Sequence, residues 1–256
     1  MPISYSQQGA VGWITLDRPD ALNSLDHESV EQFAERLVAW REDAAVRVVV
    51  VAANGRAFCA GVDLKEGGAA VAPGEKTLLD RVVTLFDMLR AYPKPVIAAV
   101  NGLAYAGGLE IVMCCDIVIA ADVAKFADAH SNFGVFPGGG GAAILPRKVP
   151  PNVARYMLFT GDPIDAADAR QYGLVNVIVP PAELSPHVQA LAERLARKSP
   201  LVLAGMKRVA IEVADKSAAD ALRHDLLEAH RHGRSHDMHE GLKAFAEKRE
   251  PQFKGY

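Results

Sequence analysis

Cysteine is scarce: the 256-residue chain holds three, Cys59, Cys114 and Cys115, two of them adjacent. That excludes a disulfide framework, and the adjacent pair lacks the spacing of a zinc or redox motif. Buried, reduced thiols in a cytosolic protein are expected. An excess of either charge is also missing. With 28 Lys and Arg against 31 Asp and Glu, the formal net charge is −3, which gives no electrostatic reason to expect nucleic acid or an anionic membrane. A polyanionic ligand would need a local cluster of basic or backbone N–H groups. No apolar run is long enough for a bilayer: Val46 to Ala53 carries Arg47 inside it, and a span needs about 20 apolar residues. Near Met1 there is neither a basic region followed by an apolar one nor an Arg-rich presequence. A soluble cytoplasmic protein is expected. Two motifs are absent as well. Gly138 to Gly141 is not followed by Lys-Ser/Thr, so there is no Walker A loop. No G-x-S-x-G elbow occurs, which removes the α/β-hydrolase reading. Of the C-terminal histidines His224, His230, His232, His236 and His239, the last three could share a helical face. No Cys or H-E-x-x-H framework accompanies them, so they read as a solvated or interface face and no metal is assigned.

What is present is apolar patterning: 50% of residues are hydrophobic, enough to bury one substantial core. Ile3 to Gln7 and Val11 to Asp17 read as a hairpin. A helix is expected from about His27 to Trp40, with Asp26 as N-cap and Phe33, Leu37 and Trp40 on one face. Val46 to Val51 is a β-branched run suited to a strand covered on both faces. Lys65 to Gly74 reads as a mobile loop, followed by a helix from about Lys76 to Ala91 and strands at Pro95 to Val100, Ile117 to Ala121 and Val175 to Val179. From Ala182 onward the pattern is helical only, with Ser217 to Asp220 as a capping box. Alternating strands and helices imply an α/β layered core over residues 1–195 and a helical region over 196–256.

Two segments match at an offset of 47 positions: Ala53-Asn54-Gly55 through Ala60-Gly61-Val62-Asp63, and Val100-Asn101-Gly102 through Gly107-Gly108-Leu109-Glu110. Each follows a buried strand and runs through Asn-Gly, an aromatic and small residues to an acid. A strand ending in a small-residue turn that opens a helix exposes unpaired N–H groups at the helix N-terminus. Two such turns on neighbouring strands can aim one N–H each at a common point and make an oxyanion hole. The repeat predicts Ala60 and Gly107 as the equivalent donors.

These segments resemble the two oxyanion segments of the crotonase (enoyl-CoA hydratase/isomerase) superfamily: Ala57-Phe58-Cys59-Ala60-Gly61-Val62-Asp63-Leu64, and Lys94-Pro95 through Asn101-Gly102 with Ala106-Gly107-Gly108-Leu109-Glu110. Arg18-Pro19 with Ala21-Leu22-Asn23, Cys115-Asp116, Phe136-Pro137-Gly138-Gly139, Thr160-Gly161, Gly173-Leu174-Val175 and the tail from Glu240-Gly241 through Phe245 and Glu247-Lys248-Arg249 extend the match over nearly the whole chain. The resemblance implies a crotonase fold, a spiral of ββα units with a helical C-terminal region that assembles homotrimers or homohexamers. It implies an acyl-CoA substrate, no metal or redox cofactor, and coenzyme A present only as part of the substrate. The segment Ala60, Gly61, Val62, Asp63 and Leu64 is expected along the coenzyme A, with Ala21 and Gly138 also in the substrate site. Phe245 and Lys248 match tail positions that cover the nucleotide of a neighbouring subunit.

Family hydratases use two glutamates flanking a water. Glu110 occupies the first position, but the second aligns with His130 in Phe126-Ala127-Asp128-Ala129-His130. Three readings stay open: His130 as general acid or base, Asp128 if the loop is re-aimed, or Glu110 working alone. The leading expectation is an enoyl-CoA hydratase-like lyase. The alternatives are another crotonase reaction (isomerisation, decarboxylation or thioester hydrolysis) and a non-catalytic CoA-thioester binding protein.

Overall fold

The computed structural model describes residues 1–68, 72 and 74–256. The alternation at the start of the chain forms its hairpin: β1 (Ile3–Gln8) pairs antiparallel with β2 (Val11–Leu16), turning at Gly9 with φ +60. Helix α1 (His27–Arg41) begins where Asp26 accepts the Ser29 N–H at 2.8 Å, and it buries Phe33, Leu37 and Trp40 as its spacing predicts. Three ββα units follow. The first holds β3 (Val48–Ala53), β4 (Ala57–Cys59), α2 (Leu64–Gly67) and α3 (Leu78–Arg90), the second β5 (Val96–Val100), β6 (Leu103–Tyr105) and α4 (Gly107–Cys114). The third holds β7 (Ile117–Ala121) and β8 (Lys125–Ala127), a 3-10 turn at His130–Phe133, and α5 (Gly141–Lys148). Then come α6 (Pro151–Thr160), β9 (Ile164–Asp165), α7 (Ala166–Gln171), β10 (Val177–Val179) and α8 (Leu184–Ala196), with α9 (Pro200–Glu212), α10 (Ala218–His232) and α11 (His236–Glu247) as the tail.

Each ββα unit sends its first strand to one sheet and its second to another, which makes the spiral. The larger sheet runs β1-β2-β3-β5-β7-β10 and the smaller β4-β6-β8-β9, with β3, β5 and β7 parallel and β4, β6 and β8 parallel. The Val-rich run is covered on both faces. Val49 and Val51 join the cluster of Phe33, Leu37, Val82, Leu85 and Phe86, whereas Val48 and Val50 join Leu184, Val188 and Ala192 of α8. Helix α8 is therefore the outer lid of the sheet, and each buried Leu or Val there contributes about 1.5–3 kcal/mol. The expected strand starts two residues later than Val46 because Arg47 turns outward, donating to the carbonyls of Ala196 at 3.2 Å and Phe253 at 2.7 Å.

In the stretch expected as a mobile loop, α2 occupies its start and residues 69, 70, 71 and 73 lie outside the described ones. A Thr77–Asp80 capping box then opens α3. At α10, Ser217 accepts the Asp220 N–H at 3.2 Å, but the Asp220 carboxylate takes the Ser217 hydroxyl instead of its backbone N–H, so only half of the expected box forms. Helix α10 buries no residue. Among the described residues no helix is long and apolar enough to cross a membrane.

Candidate active site

Two turns meet where β4 and β6 end. Gly61 sits at φ +111, a region open to glycine, and Ala106 is held at φ 48, ψ −119, a sparsely populated conformation for a residue with a Cβ. A methyl group at Gly61 would lie 3.3 Å from the Gly107 nitrogen, and one at Gly107 would lie 3.4 Å from the Val62 nitrogen. The Val62 and Gly107 N–H groups are thus neighbours. Neither has a hydrogen-bond partner among the described residues.

This differs from the repeat, which predicts Ala60 as the first donor. The Ala60 N–H donates to the Leu22 carbonyl at 3.0 Å and is spent on holding the early loop. The reason lies in strand register. The pairing of β4 with β6 slips, from Ala57↔Leu103 to Cys59↔Ala104, so the spatial offset is 46 and then 45 in place of 47. An offset of 45 is the one that relates Val62 to Gly107. The early loop is tied to the same turn by buried Asn23, which donates to the carbonyls of Asn54 at 2.9 Å and Ala57 at 2.8 Å. Arg18 pairs with Asp26 at 3.0 Å and Asp63 at 3.6 Å.

Glu110 stands one turn into α4, directly beyond Gly107, and is 2% exposed. Its Oε1 accepts the Gly141 N–H at 2.9 Å, and a methyl at Gly139 would lie 2.5 Å from its Oε2. Within the Gly-rich turn it is Gly139 that has no room for a side chain beside the Glu110 carboxylate, while Gly138, Gly140 and Gly141 are confined by Leu79, Ile144 and Asp128 with Pro137. Burial pushes the Glu110 carboxyl above its ordinary range; the Gly141 N–H and nearby His130 oppose this, and Asp128 adds to it. Ala106 coordinates the whole arrangement: its carbonyl accepts the Glu110 N–H and its own N–H donates to the Ala127 carbonyl, both at 3.0 Å. One residue beyond Ala127 comes Asp128, and Ala129, left-handed at φ 58, turns the chain so that the Asp128 carboxylate meets His130 Nδ1 at 3.0 Å. Burial would lower the His130 imidazole, but the hydrogen bond and charge of Asp128, with the charge of Glu110, outweigh it and hold it above its ordinary value.

The model of the family described as enoyl-CoA hydratase/isomerase matches residues 6–256. The chain belongs to that family. It is 36% identical over 260 residues to the (E)-benzylidenesuccinyl-CoA hydratase of Thauera aromatica, covering 100% of each chain. It is 38% identical over 255 residues to the 2,3-dehydroadipyl-CoA hydratase of Escherichia coli (strain K12), covering 98% of this chain and 97% of that one. The crystal structure of an enoyl-CoA hydratase from Bacillus anthracis superposes with a TM-score of 0.95 at 32% identity, covering 100% of each chain. The ββα spiral is therefore the crotonase fold, and the chain is an enzyme of the enoyl-CoA hydratase/isomerase family.

Within this family member, the other expected site residues fall in three places. Gly61, Val62 and Asp63 form the turn after β4, Ala21 precedes the Leu22 that accepts the Ala60 N–H, and Leu64 opens α2, which Asp63 caps by accepting the Lys65 N–H at 3.1 Å. Gly138 lies beside the Glu110 turn and packs on α3, where an added methyl would meet Leu79 at 2.8 Å. Phe245 and Lys248 are at the far end of α11; Phe245 is 86% exposed and Lys248 is its left-handed C-cap. Neither makes a side-chain hydrogen bond or ion pair to the site within the one chain, among the described residues. Sequence reasoning missed Ala106, Gly139 and Gly141 as the supports of Glu110. The run of glycines was the available signal. Cys59 is no nucleophile: burial pushes its thiol up to about 12, with the Gly61 N–H opposing weakly. Among the described residues no three His, Cys, Asp or Glu side chains group to hold a metal.

Proposed function

We propose that this enzyme is an enoyl-CoA hydratase-like lyase acting on an acyl-CoA thioester, with Val62 and Gly107 as the oxyanion donors and Glu110 as the base. The observation that carries it is the pair of neighbouring, unpartnered N–H groups one helical turn from a buried glutamate. In the hydration direction, an O–H bond of water breaks and its proton passes to Glu110 while the water oxygen bonds to the β-carbon. The π pair of the double bond moves toward the thioester and leaves an enolate, whose oxygen is held by the two N–H groups. The enolate then takes a proton at the α-carbon from the second proton-handling group, for which His130 is the candidate. Removing one donor of this kind typically costs about 10²–10³ in rate. The alternatives of isomerisation, decarboxylation or thioester hydrolysis differ in what happens after the enolate forms.

Coenzyme A enters as part of the substrate, and no metal or redox cofactor is assigned because backbone dipoles supply the electrophile. A cytoplasmic homotrimer or homohexamer is the proposed form. Leu222, Leu226 and Leu227 on α10 and Met206 and Ile211 on α9 are exposed apolar side chains of the kind a subunit interface covers. In such an assembly Phe245 and Lys248 would reach a neighbour's nucleotide. Sedimentation at the mass of one chain would contradict it. The reaction is tested by Glu110→Gln, which keeps shape and removes the proton acceptor. Loss of the enoyl thioester absorbance should slow by about 10²–10⁴, with CoA-ester binding little changed. Full turnover by that variant would refute the proposal.

A further inference from the structure

The atoms of Asp128 and His130 differ in what they can reach. Asp128 is 1% exposed. Its Oδ1 is engaged with His130 Nδ1 at 3.0 Å, and its Oδ2 is sealed from solvent with no hydrogen-bond partner among the described residues. That oxygen is aimed at the first turn of α5, since a methyl at Gly141 would lie 2.5 Å from it. The positive end of the helix favours a carboxylate there. A buried carboxylate oxygen without a partner is costly to fold around, and neither Asp128 oxygen is open to a substrate. His130 is the open member: its side chain keeps 11% exposure, and its Nε2 is not among the sealed, unpartnered atoms.

We propose that Asp128 and His130 form an orienting pair, in which Asp128 fixes the neutral His130 as its Nδ1–H tautomer and leaves Nε2 as the atom that exchanges the second proton with substrate. Asp128 is then a positioning residue and His130 the catalytic one. The inference rests on the lyase reading above, because it names the second proton-transfer atom of that reaction. In hydration the Nε2–H bond of the imidazolium breaks, its electron pair stays on Nε2, and the proton bonds to the α-carbon through the enolate's electron pair. Glu110 has meanwhile gained the proton of water, so the protein's proton count is unchanged, and transfer through solvent resets both groups. A carboxylate facing Nδ1 stabilises the imidazolium that must be present at the start. The charged groups facing His130, among the described residues, are Asp128 and Glu110. A family site built on two glutamates is replaced here by a carboxylate and an oriented imidazole.

The test is Asp128→Asn, which keeps the side chain's shape. Its amide can donate to Nδ1, which leaves the ring proton on Nε2, the wrong tautomer. We expect kcat to fall about 10²-fold, the scale on which a misplaced reacting group acts, with KM unchanged. The descending limb of the pH–rate profile should move to lower pH. Nitrogen NMR of wild-type His130 should report a proton on Nδ1 in the neutral ring, and on Nε2 in the variant. Wild-type kcat and pH profile in Asp128→Asn, or a wild-type ring protonated at Nε2, would overturn the pair. Glu110→Gln with full turnover would sink the lyase reading and the role of Nε2 with it. A dead Glu110→Gln beside a silent Asp128→Asn would overturn the pair alone.

Discussion

Gly139→Ala adds one methyl group where the structure leaves no room for it. The new carbon would lie 2.4 Å from Phe86 Cε2 and 2.5 Å from both Phe86 Cδ2 and Glu110 Oε2. Carbon contacts are optimal at about 3.5–4.0 Å, so the overlap is close to an ångström on each side. Phe86 is a fully buried ring inside α3, whereas Glu110 offers the end of a side chain. The glutamate therefore moves first. Overpacking of this kind costs roughly 1–3 kcal/mol, and displacing a reacting group by about 1 Å can cost 10²-fold in rate. The expected outcome is a fall in kcat of about that size, with Tm lowered by several degrees and KM for the CoA ester little changed. Steady-state kinetics and thermal unfolding measure the two effects separately. Gly205→Ala serves as control away from the site, since its methyl would come nearest to the Glu228 carboxylate, at 3.3 Å, with no backbone atom closer. A Gly139→Ala enzyme with wild-type kcat and Tm would refute the placement of Glu110 against the glycine turn.

Glu110→Gln should be more stable than the wild type while it loses turnover. Burial raises the folded-state pKa of Glu110 above its unfolded value, so its contribution to stability is present below the ordinary carboxylate range and lost as pH rises through the raised value. Glutamine removes that loss, and a gain on the order of 1 kcal/mol, seen in denaturant unfolding at neutral pH and absent in acid, is expected. The rate profile should be bell-shaped. Its rising limb belongs to Glu110, above the ordinary carboxylate range because of burial, and its falling limb to the His130 imidazolium, above the ordinary imidazole value because of Asp128. A profile of kcat/KM against pH with only one limb would contradict the two-group chemistry.

Much of the scaffold is legible in the chain itself. The alternation of the hairpin, the Asp26 cap and the apolar face of α1 are local signals, and each forms where its pattern places it, while the β-branched run forms β3 two residues late because Arg47 is drawn to the Ala196 and Phe253 carbonyls. Glu110 is equally local, because its distance from Gly107 is one turn of the same helix. What tertiary structure decided lies between elements distant in sequence. Which backbone N–H is left free beside that of Gly107 turns on a register slip between β4 and β6, and a slip of pairing leaves no mark on either strand read alone. The meeting of Asp128 with His130 depends on a left-handed alanine, a conformation that nothing in the residue type announces and that only the surrounding packing can impose. The role of Gly139 becomes visible only when Phe86 and Glu110, from helices α3 and α4, are seen to occupy the space its side chain would need. Propensity and periodicity act over a few residues. A catalytic site is made of distances between chain segments, and those are settled when the core closes and each backbone donor either finds a partner or is left free.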